Sequence, residues 1–274
     1  RKIAAHFEHR LFLSATPHNG YTESFTALLE LLDPQRFARG VRPSDEAQRR
    51  VLVRRLKSEL RKELPPRDDG TSRFPERRVV PLAINYPASE RQIHDVLKEY
   101  TALRRKRAGS KSSKTAADFV TLLLKKRLFS SPKAFLETLR EHMRTLNRKG
   151  AAEHVSENRL RAEFDRLDDD VDSDDALDER TQDALATAAR ASEALSNEEQ
   201  ALLSKMLEWA EREAHRPDAK ATALLAWLTR TCRPNGFWND ERVIVFTEYR
   251  DTQRWLQDLL VRHGFEADRI AMLY

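Results

Sequence analysis

Leu11-Phe12-Leu13-Ser14-Ala15-Thr16-Pro17 is a short apolar run that ends in small hydroxyl residues and a proline. Flanked by His9-Arg10 and by the turn residues His18-Asn19-Gly20, it reads as a buried parallel strand leading into a helix. Thr22 is placed to cap that helix, whose apolar positions Phe25, Leu28, Leu29 and Leu32 recur with helical periodicity. Asp33-Pro34 ends it, because proline disfavours helical geometry in the residue before it. A second apolar run, Val243-Ile244-Val245-Phe246, is followed by a helix from about Asp251 to Arg262, with Trp255, Leu256, Leu259 and Leu260 inward and a stop at Gly264. Strand–turn–helix units near both ends predict an α/β fold class. In open α/β sheets ligands sit at the carboxyl ends of strands, so Ser14 and Thr16 are the first candidate functional residues.

The stretch between these units is read as helical. Residues 44–64 form one charged amphipathic helix with Val51, Leu52, Leu56 and Leu60 on its apolar face, stopped by Leu64-Pro65-Pro66. Residues 78–84 read as a further strand, weakened by Pro81. Ser89 caps a helix to about Arg107, and 108–115 is a Gly/Ser/Lys-rich, mobile stretch. Ser131-Pro132 is a helix-start signal for the stripe Phe135, Leu136, Leu139, Met143 and Leu146. Residues 167–179 are an acidic loop, 181–214 are one or two polar helices, and Pro217 marks a boundary before a helix from Ala219 to Thr231. Ile270–Tyr274 begins another strand, so the chain is expected to be an internal piece of a longer protein.

Composition narrows the partner. The 274 residues are 34% charged and 40% hydrophobic, more charged than the roughly 25% usual in a globular domain. The net charge of +5 conceals +16 over residues 1–150 and −11 over 151–200. A basic first half suits a polyanion, and a solvated helix face suits it equally. Cys232 stands alone, which excludes an intramolecular disulfide and a cysteine-based zinc site and favours a cytoplasmic setting. No apolar run approaches the ~20 residues of a membrane span, so no membrane partner is expected.

Leu11–Pro17 with His18-Asn19-Gly20 and Leu28-Leu29-Glu30-Leu31-Leu32-Asp33-Pro34 resembles motif III of superfamily II helicases in its Snf2-family form. Arg54-Arg55-Leu56-Lys57-Ser58-Glu59-Leu60 with Lys62-Glu63-Leu64-Pro65 is similar to the Snf2 block between the two ATPase lobes, and Arg78–Leu82 with Tyr100 to its continuation. Val243–Thr247 with Glu248-Tyr249 is similar to motif IV. Lys125–Pro132 resembles the bacterial RapA- and DrmD-like subgroup. The resemblance implies the end of a first RecA-like lobe with a helical protrusion over 1–107, a large all-α insertion over 108–217 and the start of a second RecA-like lobe over 218–274.

It implies as function a DNA-dependent ATPase that translocates on double-stranded DNA, using ATP and Mg²⁺ in the full-length parent. Ser14, Ala15 and Thr16 would couple nucleotide state to lobe closure. Arg54, Arg55 and Lys57 would contact DNA phosphates or brace the lobe junction, although salt bridges with Glu59 and Glu63 account for them as well. Thr247, Tyr249 and Arg250 would meet the tracking strand's backbone. The basic run Arg104-Arg105-Lys106-Arg107 is either a phosphate contact or a solvated tail.

Catalytic equipment is missing from the sequence. No glycine opens a Gly-Lys-Ser/Thr phosphate loop, and no Gly-Arg pair supplies an arginine finger. Asp45-Glu46-Ala47-Gln48 imitates a magnesium-binding box but lacks the preceding apolar strand. Asp168, Asp170, Asp172, Asp174 and Glu179 fall at calcium-loop positions, but Ser173 stands where such a loop needs glycine. The chain alone is therefore expected to be inactive and to hold no cofactor. Protein partners of a defence or transcription complex are expected beside DNA, and two rivals remain: a non-catalytic nucleic-acid- or protein-binding helical module, and an RNA-directed helicase of the same superfamily.

Overall fold

The computed structural model describes residues 6–14, 17, 20–74, 76–147, 155–168 and 174–273. Among them every α-helical or strand element is an α-helix, and none is a strand. This overturns the α/β expectation, and with it the RecA-like lobe ends. Residues 11–14, 78–84, 243–247 and 270–273, expected as strands from their apolar runs, carry neither helix nor strand and lie in no sheet. The reason is physical. An extended run becomes a strand only when a neighbour meets its backbone N–H and C=O groups, and β-propensity cannot supply that neighbour.

The chain divides into two compact units, Arg1–Pro81 and Leu82–Tyr274. The first carries α1 (Thr22–Leu32), α2 (Asp45–Val51) and α3 (Lys57–Glu63), and its small core of Phe25, Leu29 and Phe37 is packed by α1 and α2. The helix expected over 44–64 is thus two short helices. The chain leaves helical geometry at Leu52 and returns to it after Leu56, where the Glu59 carboxylate accepts the Leu56 N–H at 3.2 Å. Only Val51 of the expected apolar face packs against the core, and Leu56 is largely exposed. Without a groove to bury the stripe, the like charges Arg50 and Arg54, one helical turn apart, disfavour continuation.

The second unit is a bundle of α4 (Ala88–Arg107), α5 (Lys111–Ser130), α6 (Pro132–Asn147), α7 (Glu157–Asp168), α8 (Asp174–Arg190) and α9 (Asn197–Glu213), followed by α10 (Ala219–Cys232) and α11 (Arg250–Arg262). Its core joins Leu97 and Tyr100 of α4, Leu124 of α5, Phe135 and Leu139 of α6, Leu185 of α8 and Met206 of α9. Each such side chain contributes roughly 1.5–3 kcal/mol on full burial. Side-chain caps set the helix starts: Ser110 accepts the Ser113 N–H at 3.0 Å, Ser131 that of Ala134 at 3.0 Å, and Asp218 that of Ala221 at 2.7 Å. The stretch expected to be mobile at 108–115 is therefore the start of α5. Likewise α8 begins at Asp174, inside the stretch expected as an acidic loop, and residues 169–173 lie outside the described ones.

Polar groups thread this core. Tyr100 Oη lies 2.8 Å from His142 Nε2. Glu199, with no exposed surface, accepts the Ser196 N–H at 2.8 Å while Ser196 Oγ accepts the Glu199 N–H at 3.1 Å, a reciprocal cap at the start of α9. The same carboxylate pairs with Arg104 at 3.4 Å and with Arg107.

Candidate nucleic-acid interface

At the C-terminal end of α5, Leu122, Lys125, Lys126 and Phe129 face Lys220, Ala221 and Leu224 of α10, residues 245–248, and Thr252, Trp255 and Leu256 of α11. Together they line a cleft of about 680 Å³. Its position depends on the corner between α5 and α6. There Ser130 Oγ and Ser131 Oγ lie 2.7 and 2.8 Å from Thr252 Oγ1, and Lys220 donates to the carbonyls of Phe129 and, at 3.1 Å, Ser130. An ammonium at the carbonyl end of a helix is favoured by the helix dipole. Beneath this corner the Arg127 guanidinium lies 3.8 Å from the Tyr249 ring centroid.

Cations and rings alternate on the outer surface. Phe129 meets Tyr86 edge-on at 6.3 Å and His94 at 5.2 Å between ring centroids. Burial first, and then the neighbouring Lys98 and Lys125, hold the His94 pKa below its ordinary value, so the ring is neutral at pH 7. Lys125 and Lys126 are exposed on this side. The cleft wall also holds Asp218, whose carboxyl is raised by burial although the Ala221 N–H opposes the shift. Glu90 is raised as well, chiefly by burial and then by Asp218, against the Ala219 N–H it accepts at 2.9 Å. Exposed lysines at a cleft can neutralise backbone phosphates.

The residues singled out in the sequence are not gathered in one place. Thr247 lines the cleft, Tyr249 is buried under Arg127, and Arg250 is half-buried at the start of α11. Arg104–Arg107 lie at the C-terminus of α4, beside the start of α5. Since α5 has 20 residues, at 1.5 Å each they are about 30 Å from its other end. Arg104 is only 6% exposed and serves the core. Arg105 pairs with Asp118 at 3.0 Å, Arg107 with Glu199, and Lys106 is exposed. In the first unit Arg54, Arg55 and Lys57 are exposed and form no ion pair with Glu59 or Glu63 among the described residues. Ser14 is exposed, whereas Ala15 and Thr16 lie outside the described residues. The sequence reading gave no functional role to Tyr86, His94 or Lys98.

Asp45 and Glu46 occupy the first turn of α2, where Glu46 pairs with Arg50 at 2.7 Å. No group of three or more His, Cys, Asp or Glu that could hold a metal ion occurs among the described residues. No helix among them is long and apolar enough to cross a membrane.

No family model, curated protein or solved structure matches this chain.

Proposed function

We propose that this chain is a helical nucleic-acid-binding module of a Snf2-like, DNA-dependent ATPase, with double-stranded DNA as its track. The observation that carries the reading is the cleft that sets Thr247, from the motif IV-like segment, against Lys125 and Lys126 with Phe129 alongside. Thr247 and the lysines would contact the phosphate backbone, giving affinity with little sequence preference and a steep salt dependence. ATP and Mg²⁺ belong to the parent enzyme in this proposal, and no step of that chemistry is assigned to residues of this chain.

The test is fluorescence anisotropy with labelled duplex DNA, single-stranded DNA and RNA over a salt series. Duplex DNA is expected to bind best. Lys125→Glu with Lys126→Glu is expected to weaken it by about tenfold or more and to lower the log–log salt slope by about 2, one per lost phosphate contact. Unchanged binding by that double variant rejects the interface. Tighter binding of RNA than of either DNA transfers the proposal to an RNA track. A full-length parent whose ATPase activity is indifferent to DNA removes the motor assignment.

A further inference from the structure

We infer that a cavity between α6 and α11 binds a phosphorylated sugar, free or as part of a nucleotide, with Arg254 on the phosphate and Asp258 on the hydroxyls. The cavity has a volume of about 600 Å³ and draws its walls from α6, α8, the residues just after α9, and α11. That volume lies in the usual range for a small-molecule site. Its apolar lining consists of Leu185 and Ala214, both fully buried, and Trp255, which is 4% exposed. Charged side chains dominate the rest, with six arginines or lysines against four carboxylates.

The ligand's chemistry follows from how the two long walls differ. On α6 the cations are already matched: Lys133 pairs with Glu137 at 2.6 Å, Arg140 with Glu211 at 2.8 Å and Arg144 with Glu141 at 2.6 Å. On α11, Arg254, Asp258 and Arg262 recur every four residues and share one face. Arg254 and Asp258 have the spacing of a helical ion pair, yet neither forms one among the described residues. Arg262 donates Nε and Nη1 to the carbonyls of Asp258 and His215, at 3.1 and 2.8 Å, which orient its guanidinium without neutralising it. A simple anion meets attraction from both arginines and repulsion from Asp258 between them. A phosphate ester with neighbouring hydroxyls satisfies every group: its phosphate accepts from the Arg254 fork, and its hydroxyls donate to the Asp258 carboxylate. One helical turn, about 6 Å, separates these two positions along the axis, a span that a phosphorylated pentose covers.

Isothermal titration calorimetry of the full chain with ribose 5-phosphate, adenosine monophosphate and inorganic phosphate tests the proposal. Ribose 5-phosphate is expected to bind at one site per chain, more tightly than inorganic phosphate. Arg254→Gln is expected to weaken it about tenfold. Asp258→Asn removes the hydroxyls' charged acceptor and the repulsion together. It is expected to weaken ribose 5-phosphate about fivefold and to strengthen inorganic phosphate. Both residues are exposed, so thermal midpoints are expected to be unchanged in either variant. Tighter binding of adenosine monophosphate than of ribose 5-phosphate assigns the base to the apolar lining, and equal binding assigns a free sugar phosphate. No saturable binding of either compound up to about 10 mM overturns the proposal. So does binding that Arg254→Gln leaves intact, or an Asp258→Asn variant that shifts ribose 5-phosphate and inorganic phosphate in the same direction.

Discussion

Glu199→Gln is expected to destabilise the second unit by about 3–5 kcal/mol, because it strands a buried guanidinium. Glutamine at this position still accepts the Ser196 N–H and preserves the cap of α9. What it removes is the negative charge facing Arg104, which is 6% exposed and keeps the Glu193 carbonyl at 3.1 Å as a neutral acceptor. Arg107 reaches solvent and suffers less. In a unit of this size the loss corresponds to a fall of about 10 °C in the thermal midpoint. Adding Arg104→Met is expected to recover most of the loss, since the buried charge goes while its volume and the cap are kept. Thermal melts of wild type, Glu199→Gln and the double variant check this. A Glu199→Gln midpoint within 2 °C of wild type, or no recovery in the double variant, would show that the pair does not carry this role.

The second large effect is acid sensitivity centred on His142. Burial, with the Arg104 charge second, pushes its pKa from 6.5 down to about 3. Folding therefore requires the neutral ring, while the unfolded chain takes up a proton below pH 6.5. The stabilisation is complete above that pH and is lost progressively as pH falls toward 3, at about 1.4 kcal/mol per unit for one proton. Over the whole window it amounts to several kcal/mol. Asp218 and Glu90, both raised by burial, act in the opposite sense. Their protonation favours the folded state, so they lower stability as pH rises through the range between their unfolded and folded values. Tyr100→Phe with His142→Leu replaces both members of the hydrogen bond and is expected to flatten the slope between pH 6.5 and 3. Urea melts at half-unit pH steps measure it, and an unchanged slope in the double variant would assign the acid sensitivity elsewhere.

The helices were legible because their starts are written in single residues. Ser131-Pro132 names the first turn of α6, and the stripe Phe135, Leu136, Leu139 and Leu146 lies in the core as its spacing predicts. The charge run at 104–107 was read as uniform, yet its spacing held the distinction. Arg104 continues the stripe Ile93, Leu97 and Tyr100 at helical intervals, while Arg105 and Lys106 point away. A cation on an apolar stripe calls for a buried carboxylate, and Glu199, 95 residues away, could not be named from local pattern. The apolar runs failed for the reverse reason. Val243–Phe246 has the residues of a strand, but a strand is a property of two segments. The cleft draws Phe129, Lys220 and Thr247 from separate parts of the chain, and no local period links them.

The corner that fastens α10 and α11 joins residues far apart in the chain. Ser131 and Thr252 are 121 residues apart, Lys220 and Phe129 91, and Glu90 and Ala219 129. The hairpins α4–α5 and α5–α6 close over a few residues each, before such distant pairs can repay the entropy of bringing them together. The walls of the cleft beside Lys125 come from α5, α10 and α11, so the cleft is not complete until the chain as far as Leu256 is present.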